Sequence, residues 1–370
     1  SKVPSTPEDS SKGVLNGIKK ACELANVDMA DIEVITHGTT VATNAILTGK
    51  GAKVGLVTTK GYGQVLQIAR SYVPGGLGGW LYYQKTPPLA PLEFTIEADE
   101  RMGADGEIVK GLDEAALRTS LEGLKAKNIE ALTICLINSF SNDEHEKRIR
   151  EIASEVMPDI PASISSEVIP ELQEYERTVT TVANSYVRPE VEKYISNLEA
   201  EFSEKMNGAS LSILRSDGGL ATAPSAANFP VNLLMSGPAG GVSGAIWVGE
   251  QAGINNVITF DMGGTSTDVA LIENGQALVR RETTVGDVTV RASALDVRSI
   301  GAGGGSIAHV PELTKALRVG PESAGAVPGP AAYDKGGENP TVTDANVVLG
   351  YLPENQKLGG DMNIRKDLAE

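Results

Sequence analysis

The sequence contains few of the residues that build disulfide frameworks and zinc sites. Its 370 residues include two cysteines, Cys22 and Cys135, and three histidines. Two cysteines without zinc-type spacing argue against a disulfide-stapled fold, and three histidines argue against a histidine-rich metal site. Cys135 lies within the apolar run Ala-Leu-Thr-Ile-Cys-Leu-Ile, which indicates a buried thiol of the core.

Long apolar runs and an excess of positive charge are also missing. No run is long enough to span a membrane, and no basic-then-apolar leader opens the chain. The 32 basic and 48 acidic residues give a formal charge of −16. So acidic a surface argues against nucleic acid or an anionic membrane as the main partner. We therefore expect a cytoplasmic protein that binds a small molecule.

Glycine, by contrast, is abundant and clustered, with 41 residues. Clustered glycines indicate loops whose backbone approaches a ligand closely, and such loops bind phosphate through N–H groups without needing Lys or Arg. Buried-looking strands alternate with helical stretches, which predicts an α/β fold with a largely parallel sheet. A long helix over 174–205, interrupted near Pro189, is predicted to join two halves of the chain.

The most informative segment is Phe260-Asp-Met-Gly-Gly-Thr-Ser-Thr-Asp-Val269. It predicts a strand that ends near Asp261, a turn through two glycines, and a second strand after Asp268. Phosphoryl transfer needs backbone N–H donors, a hydroxyl such as that of Thr265, and a carboxylate that can hold Mg²⁺. The competing interpretation is a hairpin whose glycines serve only the turn and whose aspartates cap it.

Asp261 to Asp268 resembles the second phosphate loop of the ATPase superfamily of actin, hexokinase and the heat-shock chaperones. Downstream, Ser299-Ile-Gly-Ala-Gly-Gly-Gly-Ser-Ile307 resembles the glycine segment that contacts the nucleotide in that superfamily. Further motifs, in this order and spacing, resemble the hydantoinase A/oxoprolinase family. They are His37-Gly-Thr-Thr-Val-Ala-Thr-Asn-Ala45, Ser166-Glu-Val-Ile-Pro170 with Glu174-Tyr-Glu-Arg177, Ser236-Gly-Pro-Ala-Gly-Gly-Val242, Val319-Gly-Pro-Glu-Ser-Ala-Gly325 and Pro340-Thr-Val-Thr-Asp-Ala-Asn346.

The resemblance implies ATP and Mg²⁺ as cofactors and assigns roles to individual residues. Asp261 would position Mg²⁺ and the terminal phosphate, with Thr265, Asp268 and His37 as the other catalytic candidates. The implied nucleotide-binding positions are Gly237, Gly240, Gly241, Gly263, Gly264, Thr265, Gly301, Gly303, Gly304 and Gly305. Asp261 is the one implied metal ligand.

The implied fold is α/β, with two ribonuclease-H-like domains of the actin-like ATPase type and a nucleotide cleft between them. We expect the N-terminal domain to cover residues 1–184 and the ATP-binding domain to cover residues 185–370. Members of the family open with a first phosphate loop, which would precede residue 1 here, so we expect the N-terminal domain to be truncated. The C-terminal end is expected to be truncated as well.

The implied function is ATP-dependent O-phosphorylation of a cyclic amide, such as a hydantoin or 5-oxoproline, for ring-opening hydrolysis. An acetophenone carboxylase-like ketone carboxylase subunit is the main alternative. A kinase that releases a stable phosphorylated product and a non-catalytic nucleotide-gated subunit are two further alternatives. Because the second chemical step in this family usually belongs to another subunit, a hetero-oligomer with a hydantoinase B-like partner is expected.

Several secondary candidates remain open at this point. His37 has two interpretations. As a functional residue it would polarise a substrate carbonyl or donate a hydrogen bond to phosphate; as a structural residue it would be a hydrogen-bonded histidine at a helix-capping site. His145, in a polar helix, is predicted to be solvated. The cluster of Glu167, Glu174, Glu176 and Arg177 is interpreted either as a substrate or interdomain contact or as a solvated helix face with spaced ion pairs. The loop carrying Trp80, Tyr82 and Tyr83 would line a pocket for an organic substrate, dock a partner subunit, or form a locally packed cover.

Overall fold

The computed structural model describes residues 3, 6, 9–70, 85–206, 208–355, 357–358 and 362–370. In chain order the helices are α1 Ser10–Ala25, α2 Val41–Leu47, α3 Val65–Ile68, α4 Glu114–Lys125, α5 Glu144–Val156, α6 Ser165–Val168, α7 Glu174–Lys205, α8 Ala223–Asn228, α9 Ser236–Ala252, α10 Val342–Val348 and α11 Lys366–Ala369. The strands are β1 Val34–His37, β2 Val54–Thr59, β3 Thr95–Ala98, β4 Arg101–Met102, β5 Ile108–Lys110, β6 Ala131–Cys135, β7 Ala162–Ile164, β8 Ser210–Leu214, β9 Leu220–Thr222, β10 Val257–Met262, β11 Thr267–Glu273, β12 Gln276–Ala277, β13 Val279–Arg280, β14 Thr283–Val285, β15 Val288–Val290, β16 Ala294–Leu295, β17 Val297–Ile300, β18 Ser306–His309 and β19 Arg318–Ser323.

A four-stranded parallel sheet, in the order β3-β2-β6-β7, forms the centre of the first half. Every residue of β2 and β6 is buried, as expected for parallel strands covered on both faces. Helices α4 and α5 pack on one face against Val57, Leu132 and Ile134. Helix α7 packs on the other face, where Leu56 and Cys135 belong to the largest core cluster. The predicted α/β class is therefore confirmed, and Cys135 is a buried core thiol.

Helix α7 runs without interruption from Glu174 to Lys205, so the predicted break near Pro189 is wrong. A proline inside a helix costs about 3 kcal/mol because it removes one hydrogen bond and crowds the carbonyl four residues earlier. Burial of a single large apolar side chain contributes about 1.5–3 kcal/mol. Eight such side chains of α7 are buried, namely Val182, Tyr186, Val187, Val191, Tyr194, Ile195, Leu198 and Phe202. Packing on both sides of the proline therefore outweighs its local cost.

Two further sheets adjoin this core. In the three-stranded sheet, β1 pairs in parallel with β8, and β8 pairs antiparallel with β9. In the other sheet, β11 lies between β10 on one side and β12 and β17 on the other, and all of these pairings are antiparallel. Helix α9 covers one face of the latter sheet through Val242, which packs against Ala270 and Ile272. The predicted domain boundary at residue 184 falls within α7, and the division into two domains stays a prediction.

His145 is not solvated, contrary to the prediction. Its side chain is buried, and Nδ1 lies 2.8 Å from Oε2 of Glu100, which is also buried. The second carboxylate oxygen of Glu100 accepts a hydrogen bond from the Thr59 hydroxyl. This pair was not predictable from the sequence because Glu100 is 45 residues away in the chain.

Among the described residues, none of the helices combines the length and the apolar composition that a membrane span requires.

Candidate functional site

The segment between β10 and β11 forms a tight turn with a carboxylate on each flanking strand. The Gly263 N–H donates to the Ser266 carbonyl at 2.9 Å, which closes the turn. Asp261 and Asp268 are directly opposite each other in the strand register. Opposed residues of an antiparallel pair project from the same face, so both carboxylates lie on one side of the sheet. The hairpin and its paired aspartates are as the sequence predicted.

The carboxylate face of the hairpin is the face on which α9 packs. The Asp261 Oδ2 atom lies 3.9 Å from the position that a Cβ would occupy at Gly241. Met235, which precedes α9, provides no side-chain cap for the helix. Gly241 is the sixth residue of α9, so Asp261 lies beside the second turn of the helix and not at its first N–H groups. This position leaves the carboxylate free to hold a cation that a phosphate at the start of the helix would share.

The second glycine segment is joined directly to the hairpin turn. The Gly304 N–H donates to the Gly263 carbonyl at 2.9 Å, and the Gly305 N–H donates to the Gly264 carbonyl at 2.6 Å. A Cβ at Gly303 would lie 2.7 Å from backbone atoms of Gly264 and Thr265. The two segments, whose hydrogen-bonded glycines are 41 residues apart in sequence, thus form one continuous backbone structure. Both Thr265, at the tip of the turn, and Gly301 are exposed.

A third segment, residues 340–346, contacts the second glycine segment. From the sequence it was known only as a family motif. The Thr343 N–H donates to the Gly304 carbonyl at 2.8 Å. Asp344 is buried and accepts hydrogen bonds from the backbone of Thr341 at 3.0 Å and of Ala332 at 2.8 Å. It also completes a capping box with Thr341 at the start of α10. The motif around residues 340–346 therefore positions the glycine segment through Thr343.

On its other side, the start of α9 is fixed by the turn that follows β1. The Thr39 N–H donates to Ser236 Oγ at 3.1 Å, and the Ser236 hydroxyl donates to the Thr39 carbonyl at 2.8 Å. A Cβ at Gly237 would lie 2.9 Å from the Thr40 methyl group, so Gly237 permits this close approach. The next glycine of α9, Gly240, faces Leu214 of β8 instead. Of the three predicted nucleotide-binding glycines of α9, Gly241 is the one beside Asp261.

His37 lies at the end of β1, just before this turn. Its Nε2 atom is 2.7 Å from the phenol oxygen of Tyr194 on α7. Burial lowers the pKa of His37 to about 4, so the imidazole is neutral at physiological pH. Sequence reasoning missed Tyr194, because its position within a mostly apolar helix face indicates only a core residue.

No group of three or more His, Cys, Asp or Glu side chains that could hold a metal ion occurs in the described parts of the chain. Mg²⁺ does not require such a group, because it usually binds one or two protein carboxylates together with phosphate oxygens and water. The opposed pair of Asp261 and Asp268 fits that requirement. Asp268 also accepts a hydrogen bond from the Ser299 hydroxyl, whereas Asp261 is exposed. Asp261 is therefore the better placed of the two to meet a cation.

The remaining candidates lie away from the glycine segments. Arg177 is fully buried and donates to the Leu136 carbonyl at 2.6 Å, which is a structural role. Glu176 pairs with Arg70 at 2.6 Å. That ion pair lies at a cavity of about 350 Å³ between the start of α7 and the β14–β15 hairpin. None of the predicted site residues lines this cavity, so its size alone does not make it the reaction site. Trp80, Tyr82 and Tyr83 lie outside the described residues.

Comparison with known proteins gives consistent matches along the chain. The model of the hydantoinase/oxoprolinase N-terminal region matches residues 1–157, and the hydantoinase/oxoprolinase model matches residues 177–370. The caprolactamase subunit alpha of Pseudomonas jessenii is 36% identical over 100% of this chain and 53% of its own length. The acetophenone carboxylase gamma subunit of Aromatoleum aromaticum is 35% identical over 100% of this chain and 52% of its own length.

The fold also matches solved structures. A nucleotide-free acetone carboxylase structure superposes with a TM-score of 0.85 at 28% identity, covering 99% of this chain and 53% of that chain. The ATP-dependent caprolactamase of Pseudomonas jessenii superposes with a TM-score of 0.80 at 36% identity and the same coverages. The chain thus spans about half the length of the curated relatives it matches.

Proposed function

The chain belongs to the hydantoinase/oxoprolinase family, and on that premise we propose that it uses ATP to phosphorylate the carbonyl oxygen of a cyclic amide. A hydantoin or 5-oxoproline is the kind of substrate expected, and ring-opening hydrolysis is the outcome. One observation carries the proposal: the hairpin turn and the second glycine segment are hydrogen-bonded to each other beside Asp261, which faces Gly241 of α9. Relatives with ATP-dependent activity support it.

In the proposed reaction, the carbonyl oxygen forms a bond to the terminal phosphorus of ATP while the bond from that phosphorus to the ADP oxygen breaks. The exposed backbone N–H groups of Gly264 and Thr265 would donate to phosphate oxygens, together with the Ser236 and Gly237 N–H groups of α9, while the Gly263 N–H closes the turn through the Ser266 carbonyl. Asp261, with Asp268 beside it, would hold Mg²⁺, which when bound neutralises charge on the phosphates. Gly301 would lie along the nucleotide, on the exposed side of the segment that Gly303, Gly304 and Gly305 pack against the turn.

The proposed architecture is two actin-like ATPase domains, residues 1–184 and 185–370, with the nucleotide between them. Contact between Thr39 and Ser236 supports this arrangement, because it joins a turn of the first part to the start of a helix in the second. A second, hydantoinase B-like subunit would carry out the following hydrolytic step. The subunit names of caprolactamase and acetophenone carboxylase support a hetero-oligomer.

A second candidate function is phosphorylation of a ketone enolate for carboxylation. The similarity to the acetophenone carboxylase gamma subunit and to the acetone carboxylase structure favours it. The two reactions share the same requirement at the phosphate loops, because each transfers the terminal phosphoryl group of ATP to an oxygen of the organic substrate and releases ADP. They differ in the organic substrate and in the need for bicarbonate.

The test is ATP hydrolysis by the full-length protein with its co-expressed partner, measured with hydantoins, 5-oxoproline, lactams and aryl ketones, with and without bicarbonate. Stimulation by one cyclic amide without bicarbonate is the expected result, and Asp261→Ala should abolish it. Asp159→Ala, at an exposed position before β7, is the matched control and should leave turnover unchanged. Stimulation that requires both a ketone and bicarbonate would replace the amidase with the carboxylase. Unchanged ATP turnover in Asp261→Ala would contradict the phosphate-loop assignment on which both the amidase and the carboxylase proposals depend.

A further inference from the structure

The cavity of about 350 Å³ between the start of α7 and the β14–β15 hairpin lies where two parts of the chain meet. The hairpin is fixed there, because the Arg291 N–H donates to Thr180 Oγ1 of α7 at 2.9 Å. Both parts contribute to an aliphatic wall, which consists of Leu66, Leu89, Val179, Val182, Val288 and Val290. Cavities of about 300–1,000 Å³ with an apolar wall and a few polar groups are where proteins commonly bind small molecules.

The charged side chains that line this cavity fall into two groups. Four of them form ion pairs with each other, Arg70 with Glu176 at 2.6 Å and Arg291 with Glu282 at 3.8 Å. The other two are Lys85 and Asp287, and neither has an oppositely charged partner within the described part of the chain. One cation and one anion of the cavity are therefore left without an ion-pair partner.

Lys85 and Asp287 lie on the same rim of the cavity, and both are exposed. Thr86, which follows Lys85, donates its hydroxyl hydrogen to Asp287 Oδ2 at 2.7 Å. Lys85 Nζ donates to the carbonyls of Ile68 at 2.8 Å and Gln67 at 3.4 Å, which orients the ammonium without neutralising it. An ammonium has three N–H donors, and Asp287 Oδ1 accepts no hydrogen bond from the described residues. Each charge therefore retains the capacity to bind a ligand.

A ligand matched to this cavity carries one negative group, one positive group and an aliphatic body. A carboxylate would accept charge-assisted hydrogen bonds from Lys85, and an ammonium would donate them to Asp287. The hydrocarbon between them would cover the aliphatic wall and lose its contact with water. A molecule with a single charge would gain only one of the two polar contacts.

We propose that this cavity binds an aliphatic amino acid, with its carboxylate at Lys85 and its ammonium at Asp287. None of the described residues of the two glycine segments lines the cavity, so this is a second site on the chain. The inference rests on the proposed function only for the source of the ligand. Addition of water across the amide bond of a lactam opens the ring and leaves one amine and one carboxyl group, so the product of that reaction is such an amino acid.

The test is titration calorimetry of the full-length protein without nucleotide. The probes are ε-aminocaproate, its isomer norleucine, the singly charged caproate and hexylamine, and uncharged caprolactam. We expect one of the two amino acids to bind at least about tenfold more tightly than the other three compounds, because each charge adds a charge-assisted hydrogen bond. Preference for ε-aminocaproate identifies a product of lactam opening, and preference for norleucine identifies an α-amino acid. Equal binding of caproate, or no binding of either amino acid, would overturn the proposal.

Two exposed substitutions locate the site. Lys85→Gln and Asp287→Asn should each weaken binding of the preferred amino acid by about tenfold, the effect of losing one charge-assisted hydrogen bond. Lys50→Gln and Asp159→Asn are the matched controls, since both residues are exposed and neither lines the cavity. They should leave the affinity unchanged. Full affinity in both cavity variants would mean that the amino acid binds elsewhere, which contradicts the proposal.

The outcome does not depend on ATP turnover, because the titration contains no nucleotide. If no compound stimulates ATP turnover and an amino acid still binds at Lys85 and Asp287, the proposed function fails and this inference stands. If a cyclic amide stimulates turnover and neither amino acid binds, the proposed function stands and this inference fails.

Discussion

Replacing Gly303 with alanine tests whether the two glycine segments form one structure. A Cβ at this position would lie 2.7 Å from three backbone atoms of Gly264 and Thr265. That is about 0.7 Å closer than the 3.4 Å at which ordinary contact begins. Because backbone atoms cannot rotate away as the end of a side chain can, the turn and the segment must separate.

The size of the effect follows from the contacts that would be disturbed. Overpacking of a well-packed site costs typically 1–3 kcal/mol. The hydrogen bonds from Gly304 and Gly305 to the turn contribute about 1 kcal/mol each, and separation would weaken both. For a cooperative unit of 150–250 residues, 1 kcal/mol corresponds to about 2–4 °C in Tm. We therefore expect Gly303→Ala to lower the Tm by about 3–10 °C and the affinity for ATP by about tenfold.

The assay is thermal unfolding by calorimetry without nucleotide, followed by titration calorimetry with ATP. Gly301→Ala is the matched control for the thermal measurement, because a Cβ there meets no atom within 4 Å. It should unfold within about 1 °C of the wild-type protein, since surface substitutions without special contacts change stability little. Equal Tm values for Gly303→Ala and Gly301→Ala would refute the packing argument.

Three other predictions concern stability. Burial lowers the pKa of His37 from 6.5 to about 4, so the stability that the neutral ring contributes is fully present above pH 6.5 and is lost as the pH falls toward 4. The free energy of unfolding, measured in urea, should therefore fall between pH 7 and pH 4 by about 3 kcal/mol less in His37→Asn than in the wild-type protein. Equal decreases in the two proteins would contradict this prediction. Arg177→Met should cost roughly 3 kcal/mol in urea unfolding, because the Leu136 carbonyl, the Glu171 carbonyl and the Ser165 hydroxyl each lose a charged hydrogen-bond donor. Arg118→Met removes only an exposed ion pair and should cost less than about 1 kcal/mol. Asp344→Ala should lower the free energy of unfolding by roughly 2 kcal/mol, since three backbone N–H groups and the Thr341 hydroxyl lose their acceptor. A change below about 0.5 kcal/mol would show that the cap is dispensable.

Local patterns were sufficient to predict the α/β class and most elements of the central sheet. The run of buried residues in β2 and β6 and the amphipathic spacing of α4 and α5 are signals that a short window contains. The break predicted at Pro189 was wrong because the local sequence does not contain the information that decides it. A proline is visible in the window, whereas the packing that holds α7 together on either side of it is not.

The candidate site shows the same division between local and distant information. The hairpin with Asp261 and Asp268 could be predicted, because strand, turn and strand are contiguous in sequence. Tyr194 and the His145–Glu100 pair could not, because each depends on a partner at least 45 residues away. The contact between Thr343 and Gly304 likewise joins a motif of unassigned role to the glycine segment. Predicting such contacts requires knowing the register of several elements at once.

The glycines of the site also separate into two groups that the sequence could not distinguish. At Gly303, Gly304 and Gly305 a Cβ would lie within 3 Å of neighbouring protein atoms, so packing alone accounts for glycine there. At Gly264 and Gly301 a Cβ would meet nothing within 4 Å, and neither residue has a left-handed φ. No contact within the described chain accounts for glycine at these two positions. They lie on the exposed side of the joined segments, where a ligand that approaches the backbone closely would provide the reason.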